Sequence, residues 1–138
     1  MSMKIEIKSI LTEDTLKIRH QVLWPDKSPE FVKVAEDQNA LHFGLFCEEE
    51  LVSVISLFPD EENVRFRKFA TIASFQSKGL GTKLLSYVLD FAKAEGYKKI
   101  WCDARTNALP FYERFGFNRF SDSFMKENVE YYKIERNL

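Results

Sequence analysis

The stretch that most constrains the fold is FATIASFQSKGLGTKLL (69–85), in which two glycines join a strand pattern to a helical pattern. Residues before Gln76 are typical of the end of a β-strand, and residues after Gly81 begin an amphipathic helix. Such a turn presents backbone N–H groups that no helical carbonyl accepts, and the helix dipole adds positive charge there. The turn is therefore a candidate anion site. On the Gly-x-Gly spacing alone, however, a tight turn without a ligand is the more frequent explanation.

The segment after the turn predicts a strand–helix–strand unit. The helix has an apolar stripe with polar residues opposite, and Gly96 suits the position just after it. The segment KKIWCDA (98–104) then returns as a strand. A helix between two strands favours a parallel crossover. The stripe comprises Leu80, Leu84, Leu85, Val88, Leu89 and Ala92.

The N-terminal part predicts a strand, a helix and an irregular connection. Strict alternation in KIEIKSI (4–10) indicates the strand. Thr12 is predicted to cap the helix, and Pro25 ends it. From 26 to 39 the periodic pattern fades, and a connection of that length favours a binding role.

Three strand patterns follow, separated by charged turns at 48–50 and 59–63. In the third, VRFRKFATI, the apolar positions change from even (Phe66) to odd (Phe69) around Lys68. This one-residue slip is the pattern of a β-bulge, which would bend the strand away from 98–104 and open a cleft between them. Over so few residues, chance explains the slip equally well.

The C-terminal part predicts a short helix and two strands. Asn107 is expected to cap a helix over 108–115, which places Pro110 at the third helical position, where no N–H is required. The closing strands are FNRF (117–120) and VEYYKIE (129–135). This order of elements predicts an α/β fold of the α+β type, with a mixed, centrally splayed sheet flanked by helices.

Length and composition agree with one soluble domain over 1–138, since 138 residues with 45% hydrophobic and 30% charged content are ordinary for such a domain. A net charge of −1 with interleaved acids and bases gives no reason to expect nucleic acid or an anionic membrane. No run approaches a membrane span, and the N-terminus is unlike a targeting peptide. Two distant cysteines, Cys47 and Cys102, favour reduced thiols and a cytoplasmic location.

Two well-known phosphate loops do not fit the glycine turn, because there is no G-x-x-x-x-G-K-[ST] and no third glycine. Together with the downstream ARTNALPFYERFGF (104–117), however, the turn closely resembles the GNAT superfamily of N-acetyltransferases. The family's phosphate loop, [QR]-x-x-G-x-[GA], is matched by Gln76, Gly79 and Gly81. The residues that match its second pattern, A-x-x-[FL]-Y-x-x-x-G-F, are Ala108, Phe111, Tyr112, Gly116 and Phe117.

The resemblance implies acetyl-coenzyme A, or a closely related acyl-CoA, as the acyl donor, and no metal is expected. The pantetheine arm would pair like an extra strand with Phe69, Ala70 and Thr71, and an N–H near Ala70 would polarise the acetyl carbonyl. Relatives frequently have glycine where Ser77 stands, a change that is tolerated if its φ is negative. The residues whose amides would hold the pyrophosphate are Gln76, Ser77, Lys78, Gly79, Leu80, Gly81 and Thr82.

The resemblance also implies direct attack of an amine on the thioester, with Tyr112 as the general acid that protonates the departing thiolate. A purely structural Tyr112, with its hydroxyl bonded to the backbone, is the alternative. Many relatives have an asparagine shortly before this helix. Here Asp103 or Asn107 is expected to contact the pantetheine, although Asn107 as a plain helix cap explains the residue equally well.

No general base is evident from the sequence. Glu36, Asp37 and His42 lie in the region that would roof the acceptor site. A lone strand histidine is more often structural, and the two acids are more often solvated loop residues. Water can then relay the proton. The aromatic residues expected in the acceptor pocket or the core are Trp24, Phe31 and Phe43.

The leading hypothesis is an acetyl-CoA-dependent N-acetyltransferase that transfers the acetyl group to a primary amine, on a small molecule or peptide, within a ternary complex. The alternative is a non-catalytic acyl-CoA-binding or regulatory module, and a third is a structural domain of a larger assembly. The near-neutral charge does not choose among amino sugars, polyamines, aminoglycosides, amino acids and protein lysines. The aromatic content permits a homodimer.

Overall fold

The computed structural model describes residues 3–138 and contains one eight-stranded sheet. The strands are Ile5–Ile10 (β1), Leu41–Cys47 (β2), Glu50–Asp60 (β3), Asn63–Thr71 (β4), Lys99–Arg105 (β5), Asn118–Arg119 (β6), Phe124–Lys126 (β7) and Val129–Asn137 (β8). The α-helices are Thr12–Ile18 (α1), Leu80–Ala94 (α2) and Leu109–Glu113 (α3). A wider π-type turn, Arg19–Leu23, continues α1, and short 3-10 turns lie in the connections.

The sheet is mixed. Its strands follow the order β1-β2-β3-β4-β5-β8-β6, and β7 pairs with β8. Among the described residues, every pairing is antiparallel except that of β4 with β5, the two strands that α2 connects. The α/β fold, the antiparallel beginning and the parallel crossover around the long helix are therefore confirmed.

The two parallel strands stay together only where they begin. Asn63–Arg65 pairs with Lys99–Trp101, and the described parts of β4 and β5 have no further pairing with each other. The sheet consequently opens into a V-shaped cleft at the C-terminal ends of both strands. Unpaired backbone groups are costly when they are buried without a partner, so an open edge of this kind favours a ligand that can pair with it.

A β-bulge in β4 accounts for the divergence. On β3, Val54 and Ser56 are two residues apart. Their partners on β4, Ala70 and Arg67, are three residues apart, so β4 contains one extra residue. Lys68, between those partners, has a φ of +57°. A residue in this conformation bends the strand, and the bulge predicted near Lys68 is confirmed.

Helices cover both faces of the sheet. On one face α2 packs with its apolar stripe, as the sequence predicts. On the other face α1 packs through Ile18 against Val54 and Ala70. The buried residues of α2 are Leu80, Leu84, Leu85, Val88, Leu89 and Ala92.

The predicted boundaries of the first helix need two corrections. Thr12 is the first helical residue and not the cap, because its hydroxyl is bonded to the ring of His42, 3.0 Å away. The carboxylate of Asp14 instead accepts the N–H of Leu11 at 3.0 Å. Regular α-helix also ends at Ile18, before the predicted stop at proline, and the π-type turn follows.

The C-terminal helix also differs from its prediction. Asn107 lies in a 3-10 turn, Thr106–Ala108, so Ala108 precedes α3 and Pro110 takes the second helical position. The Asn107 side chain is exposed and caps nothing. The structure also contains a strand that the sequence patterns do not predict, β7, whose three residues pair with β8 across a tight turn at Glu127 and Asn128.

Candidate functional site

The candidate site is the cleft between the diverging ends of β4 and β5, which encloses a cavity of about 210 Å³. Its two sides differ in chemistry. The α3 side contributes Phe66, Phe69, Ala104, Ala108 and Tyr112. The α1 side contributes Leu23, Trp24, Arg65, Arg67, Lys68, Asp103 and Arg105, together with Lys126 and Tyr131 from β7 and β8.

The glycine turn forms an N–H-rich loop at the start of α2. Within the described chain, no backbone carbonyl accepts a hydrogen bond from the N–H groups of residues 77–82. The first helical bond at this end runs from the N–H of Lys83 to the carbonyl of Gly79, at 3.1 Å. Six consecutive donors at the positive end of a fifteen-residue helix favour an anion such as a phosphate.

Two residues of this loop have left-handed backbone. Gly79 has a φ of +78° and Ser77 a φ of +62°. Serine at 77 is tolerated without strain only if its φ is negative, and the observed φ is positive. A non-glycine residue with this φ costs on the order of 1 kcal/mol, so the loop carries strain at Ser77.

The loop is tied to the end of β4. The side-chain amide of Gln76 donates to the carbonyl oxygen of Thr71 at 2.8 Å. A Cβ built on Gly81 would lie 3.5 Å from Cζ of Phe69 and 3.7 Å from Oγ1 of Thr71, which are ordinary contacts. Packing within the protein therefore does not require glycine at 81. A ligand that approaches the backbone at this position would require it, because a Cβ would stand in its way.

The edge of β4 that faces the cleft offers specific peptide groups. The N–H of Ile72 donates to the carbonyl of Val52 on β3 at 2.9 Å. Alternate residues of a strand direct their peptide groups to opposite sides, so Ala70 also faces β3. The peptide groups of Phe69 and Thr71 therefore face the cleft. The N–H expected near Ala70 to polarise a carbonyl is then that of Phe69 or Thr71.

Tyr112 lies at the α3 side of the cavity and is only 8% exposed. Its ring packs against Phe66, Phe111 and Phe117, with centroids 5.2–5.8 Å away. Its hydroxyl has no hydrogen-bond partner among residues 3–138. Burial, and then the neighbouring Cys102, raise the pKa of Tyr112 well above its usual value, so the phenol keeps its proton at neutral pH.

Asp103 and Asn107, the two residues expected to reach the pantetheine, have different surroundings. Asp103 bonds to Arg65 at 2.7 Å and to Lys126 and Lys133 at 3.0 Å. Burial alone would raise the pKa of Asp103, but the bonds from Lys133 and Lys126 outweigh it and lower the pKa. Asp103 is thus occupied by cations, whereas Asn107 remains exposed and without a hydrogen bond in the described chain.

His42 belongs to a buried polar network and not to the cleft. Its Nε2 donates to the carbonyl of Asp37 at 2.9 Å, and its Nδ1 lies 2.6 Å from the hydroxyl of Ser56. Arg19, which is completely buried, forms two 2.9 Å bonds with the Asp37 carboxylate. Asp37 is therefore not the solvated loop acid that the sequence suggests. Glu36 is exposed, as expected.

The basic residues of the α1 side are site residues that the sequence patterns do not predict. Lys68 and Arg67 line the cavity, and neither side chain has a hydrogen bond or ion pair with a described residue. Burial, followed by the charges of Arg67, Arg19, Lys126 and Arg105, lowers the pKa of Lys68 to about 8. The bulge slip was the one available signal, because a bulge places consecutive side chains in unusual directions.

The predicted aromatic residues lie in two different places. Trp24 lines the cavity and packs on Phe31, with ring centroids 5.2 Å apart, whereas Phe43 belongs to the core under α2. Cys47 and Cys102 are buried free thiols. Residues 3–138 contain no cluster of three or more potential metal ligands. None of the helices they form combines the length and apolar character needed to cross a membrane.

Comparison with known proteins agrees with this geometry. A family model described as the acetyltransferase (GNAT) domain matches residues 17–138. The chain is also 29% identical to the uncharacterised N-acetyltransferase YitI of Bacillus subtilis strain 168, over 87% of each chain.

Solved structures show the same fold at low sequence identity. A Lactobacillus plantarum protein superimposes with a TM-score of 0.86 at 18% identity, over 100% of this chain and 99% of the other. A GNAT family acetyltransferase from Elizabethkingia anophelis, crystallised with acetyl-CoA bound, has a TM-score of 0.74 at 20% identity, over 97% and 98% of the two chains.

Proposed function

The chain belongs to the GNAT acetyltransferase family, and from that premise we propose that it transfers an acetyl group from acetyl-CoA to a primary amine. The observation that carries the proposal is the continuity of three features along one cleft. Free N–H groups of residues 77–82 lead to the open edge of β4, and this edge leads to the unpartnered hydroxyl of Tyr112. An acyl-CoA needs these three features in this order.

The donor would bind along this path. Its pyrophosphate accepts hydrogen bonds from the loop N–H groups, with Lys78 and Lys83 adding charge nearby. Its pantetheine amides pair with the peptide groups of Phe69 and Thr71, which have no strand partner on the cleft side. The acetyl-CoA bound to the Elizabethkingia relative supports this choice of donor.

The chemistry proposed is a direct displacement. The lone pair of the neutral amine attacks the carbonyl carbon of the thioester, and the carbonyl oxygen gains negative charge. A β4 N–H, from Phe69 or Thr71, stabilises that charge. The C–S bond then breaks, the Tyr112 hydroxyl gives its proton to the sulfur, and solvent restores the phenol. The amine loses a proton to water, and the products are the amide and CoA thiol.

The raised pKa of Tyr112 fits this role. A phenol that stays protonated through the neutral range always has a proton to donate. Its hydroxyl, free of a partner in the described chain, is also available to the ligand. A tyrosine that served only the core would more often bond its hydroxyl to the backbone.

The test combines binding with turnover. Titration calorimetry with acetyl-CoA measures donor affinity, and release of free thiol in the presence of a panel of primary amines measures transfer. The proposal expects both. Binding without thiol release for any amine would instead assign the chain to a non-catalytic acyl-CoA-binding module, and absence of binding would remove both functions.

A further inference from the structure

The α1 side of the cleft is unusually rich in positive charge. Arg65 and Arg67 alternate on β4 with the core residue Phe66, and so they face the side on which Ala70 meets α1. Asp103 and Arg105 face the same side from β5, since Asp103 pairs with Arg65. This side is opposite to the loop of residues 77–82, so its cations are not placed to hold the pyrophosphate of the donor.

The acidic residue on this wall is already neutralised. Asp103 shares its single charge among Arg65, Lys126 and Lys133. Arg105 donates to the carbonyl of Leu23 at 2.9 Å, which supplies a dipole but no counter-charge. Positive charge on this wall therefore exceeds negative charge, although the protein as a whole has a net charge of −1.

Arg67 and Lys68 are the cavity-lining cations whose side chains have neither a counter-ion nor a hydrogen bond in the described chain. Burial, and then the charge of Arg65, lower the pKa of Arg67, and its guanidinium reaches only the ring of Phe58, with its carbon 5.7 Å from the ring centroid. Glu36 and Asp37 attract Arg67 from the connection before β2, but neither forms an ion pair with it.

Lys68 is held in this position by the bulge. Its positive φ turns it out of the alternation of β4, and its side chain is only partly exposed. The charges that act on it come from four elements: Arg67 on β4, Arg19 in the turn after α1, Arg105 on β5 and Lys126 on β7. Two half-buried, unpaired cations at one cavity are unfavourable in the free protein, and a bound anion would relieve the repulsion.

We propose that the acceptor amine of this enzyme carries an anionic group, a carboxylate or a phosphate, and that Arg67 and Lys68 bind it. The inference rests on the proposed function. A guanidinium can hold either oxyanion with two parallel hydrogen bonds, and the lysine adds a point charge. The second ammonium of a polyamine would be repelled by the same wall. A cavity of about 210 Å³ suits a small acceptor of the amino-acid or amino-phosphate type.

The first test compares matched acceptors. Each standard L-amino acid is assayed beside its amide, and phosphoethanolamine beside ethanolamine, with spermidine as a cationic acceptor. The anionic member of a productive pair should have a kcat/KM at least about tenfold higher, as expected for a hydrogen bond between charged groups. Equal or better turnover of amides, ethanolamine or spermidine would overturn the inference and leave the acetyltransferase function intact.

Variants then locate the effect. Arg67→Met and Lys68→Met should each raise KM for the anionic acceptor about tenfold with little change in acetyl-CoA affinity, and Arg67→Lys should restore part of the loss. Matched controls are Arg119→Met, at the exposed edge strand β6, and Lys93→Met, on the exposed face of α2. An unchanged KM in both cleft variants would contradict the assignment.

A second measurement does not depend on turnover. Acylation of Lys68 by an amine-reactive ester at pH 8 is followed by mass spectrometry in acetate, phosphate or chloride at equal ionic strength. Acetate or phosphate should slow labelling of Lys68 at least about threefold without affecting Lys93, and the more protective anion identifies the group bound. Equal rates in all three salts would overturn the inference. If the protein did not bind acetyl-CoA, the proposed function and the acceptor role would be lost, but protection of Lys68 would still establish an anion site at this position.

Discussion

Tyr112 is a core aromatic residue to which the proposed function also gives a chemical role. Three phenylalanine rings fix the orientation of its ring, and the residue lines the cavity. The same burial that fixes the ring raises the pKa of the hydroxyl. The residue therefore remains protonated without needing a partner, which a proton donor to a thiolate requires.

We expect Tyr112→Phe to lower kcat by about ten- to a thousandfold, because the thiolate then leaves without a proton donor. The affinity for acetyl-CoA should change little, since the ring and its contacts are preserved. Steady-state thiol release and calorimetry check the two quantities. Tyr87→Phe, at an exposed position of α2, is the control, and full turnover by Tyr112→Phe would reduce Tyr112 to a packing residue.

A second residue-scale prediction concerns Gly81. Gly81→Val should weaken acetyl-CoA binding at least about tenfold while the melting temperature changes by only a few degrees, because its Cβ makes ordinary contacts in the free protein but would stand where phosphate oxygens approach. Calorimetry and thermal unfolding measure the two effects. Ser86→Val, further along the same helix, should leave the affinity unchanged. A folded Gly81→Val protein with normal affinity would remove the phosphate site from this loop.

At the scale of elements, the pairing of β4 with its neighbouring strands changes along its length. Before the bulge it pairs with β3 and β5, and after the bulge it pairs with β3 alone. The exposed edge is thus created by a single inserted residue near Lys68. One local irregularity produces both the open cleft and the peptide groups that a pantetheine arm can use.

Hydrogen exchange can test, residue by residue, which amides of β4 face the cleft and which face β3. Addition of acetyl-CoA should increase the protection of the Phe69 and Thr71 amides markedly, at least about tenfold, because they face the cleft. The amides of Ala70 and Ile72 face β3 and serve as internal controls, with little expected change. Equal protection of all four amides in the free protein would mean that no open edge exists, and the proposed donor site would be lost.

At the scale of the whole molecule, a buried ion pair connects distant parts of the chain. Arg19, in the turn after α1, binds Asp37 in the connection before β2, the carbonyl of Val32 and the hydroxyl of Ser56 on β3. Burial would raise the pKa of Asp37, but the hydrogen bonds from Arg19 and from the Val34 N–H outweigh it and lower the pKa. The network holds the 26–39 connection on the sheet, on the α1 side of the cleft.

We expect Asp37→Asn to reduce the free energy of unfolding at pH 7 by about 3–5 kcal/mol, because Arg19 then remains buried without a charged partner. Since the folded pKa of Asp37 lies below its ordinary value of 3.8, its contribution is present above that pH and is lost as the pH falls through the folded pKa. The difference between wild type and variant should therefore shrink in acid. Urea unfolding at pH 7 and pH 3 measures both, with exposed Asp122→Asn as the control; a difference independent of pH would contradict the linkage.

Much of the architecture is predictable from local pattern alone. The stripe of α2, the hairpins with their charged turns and the slip at Lys68 are all periodic signals, and periodicity follows from which side chains must avoid water. The expectations that differ from the structure concern Thr12, Ser77 and Asn107. Each depends on the φ of a single residue or on the partner of a single hydroxyl or amide. Those depend on what the rest of the chain brings nearby, which a short window of sequence does not contain.

The mixed sheet, the N–H-rich turn before a long helix and the resemblance to GNAT acetyltransferases are all readable from the amino-acid sequence, because each follows from local periodicity, short motifs and the order of the elements. Three features depend on the folded chain: which peptide groups face the cleft, the bonding of Asp37 and His42 to other residues, and the position of the unpaired Arg67 and Lys68 side chains at the cavity. Charge in the sequence is a sum over all residues, and it is nearly zero. Charge in the site depends on distances between residues far apart in the chain, and only folding sets those distances.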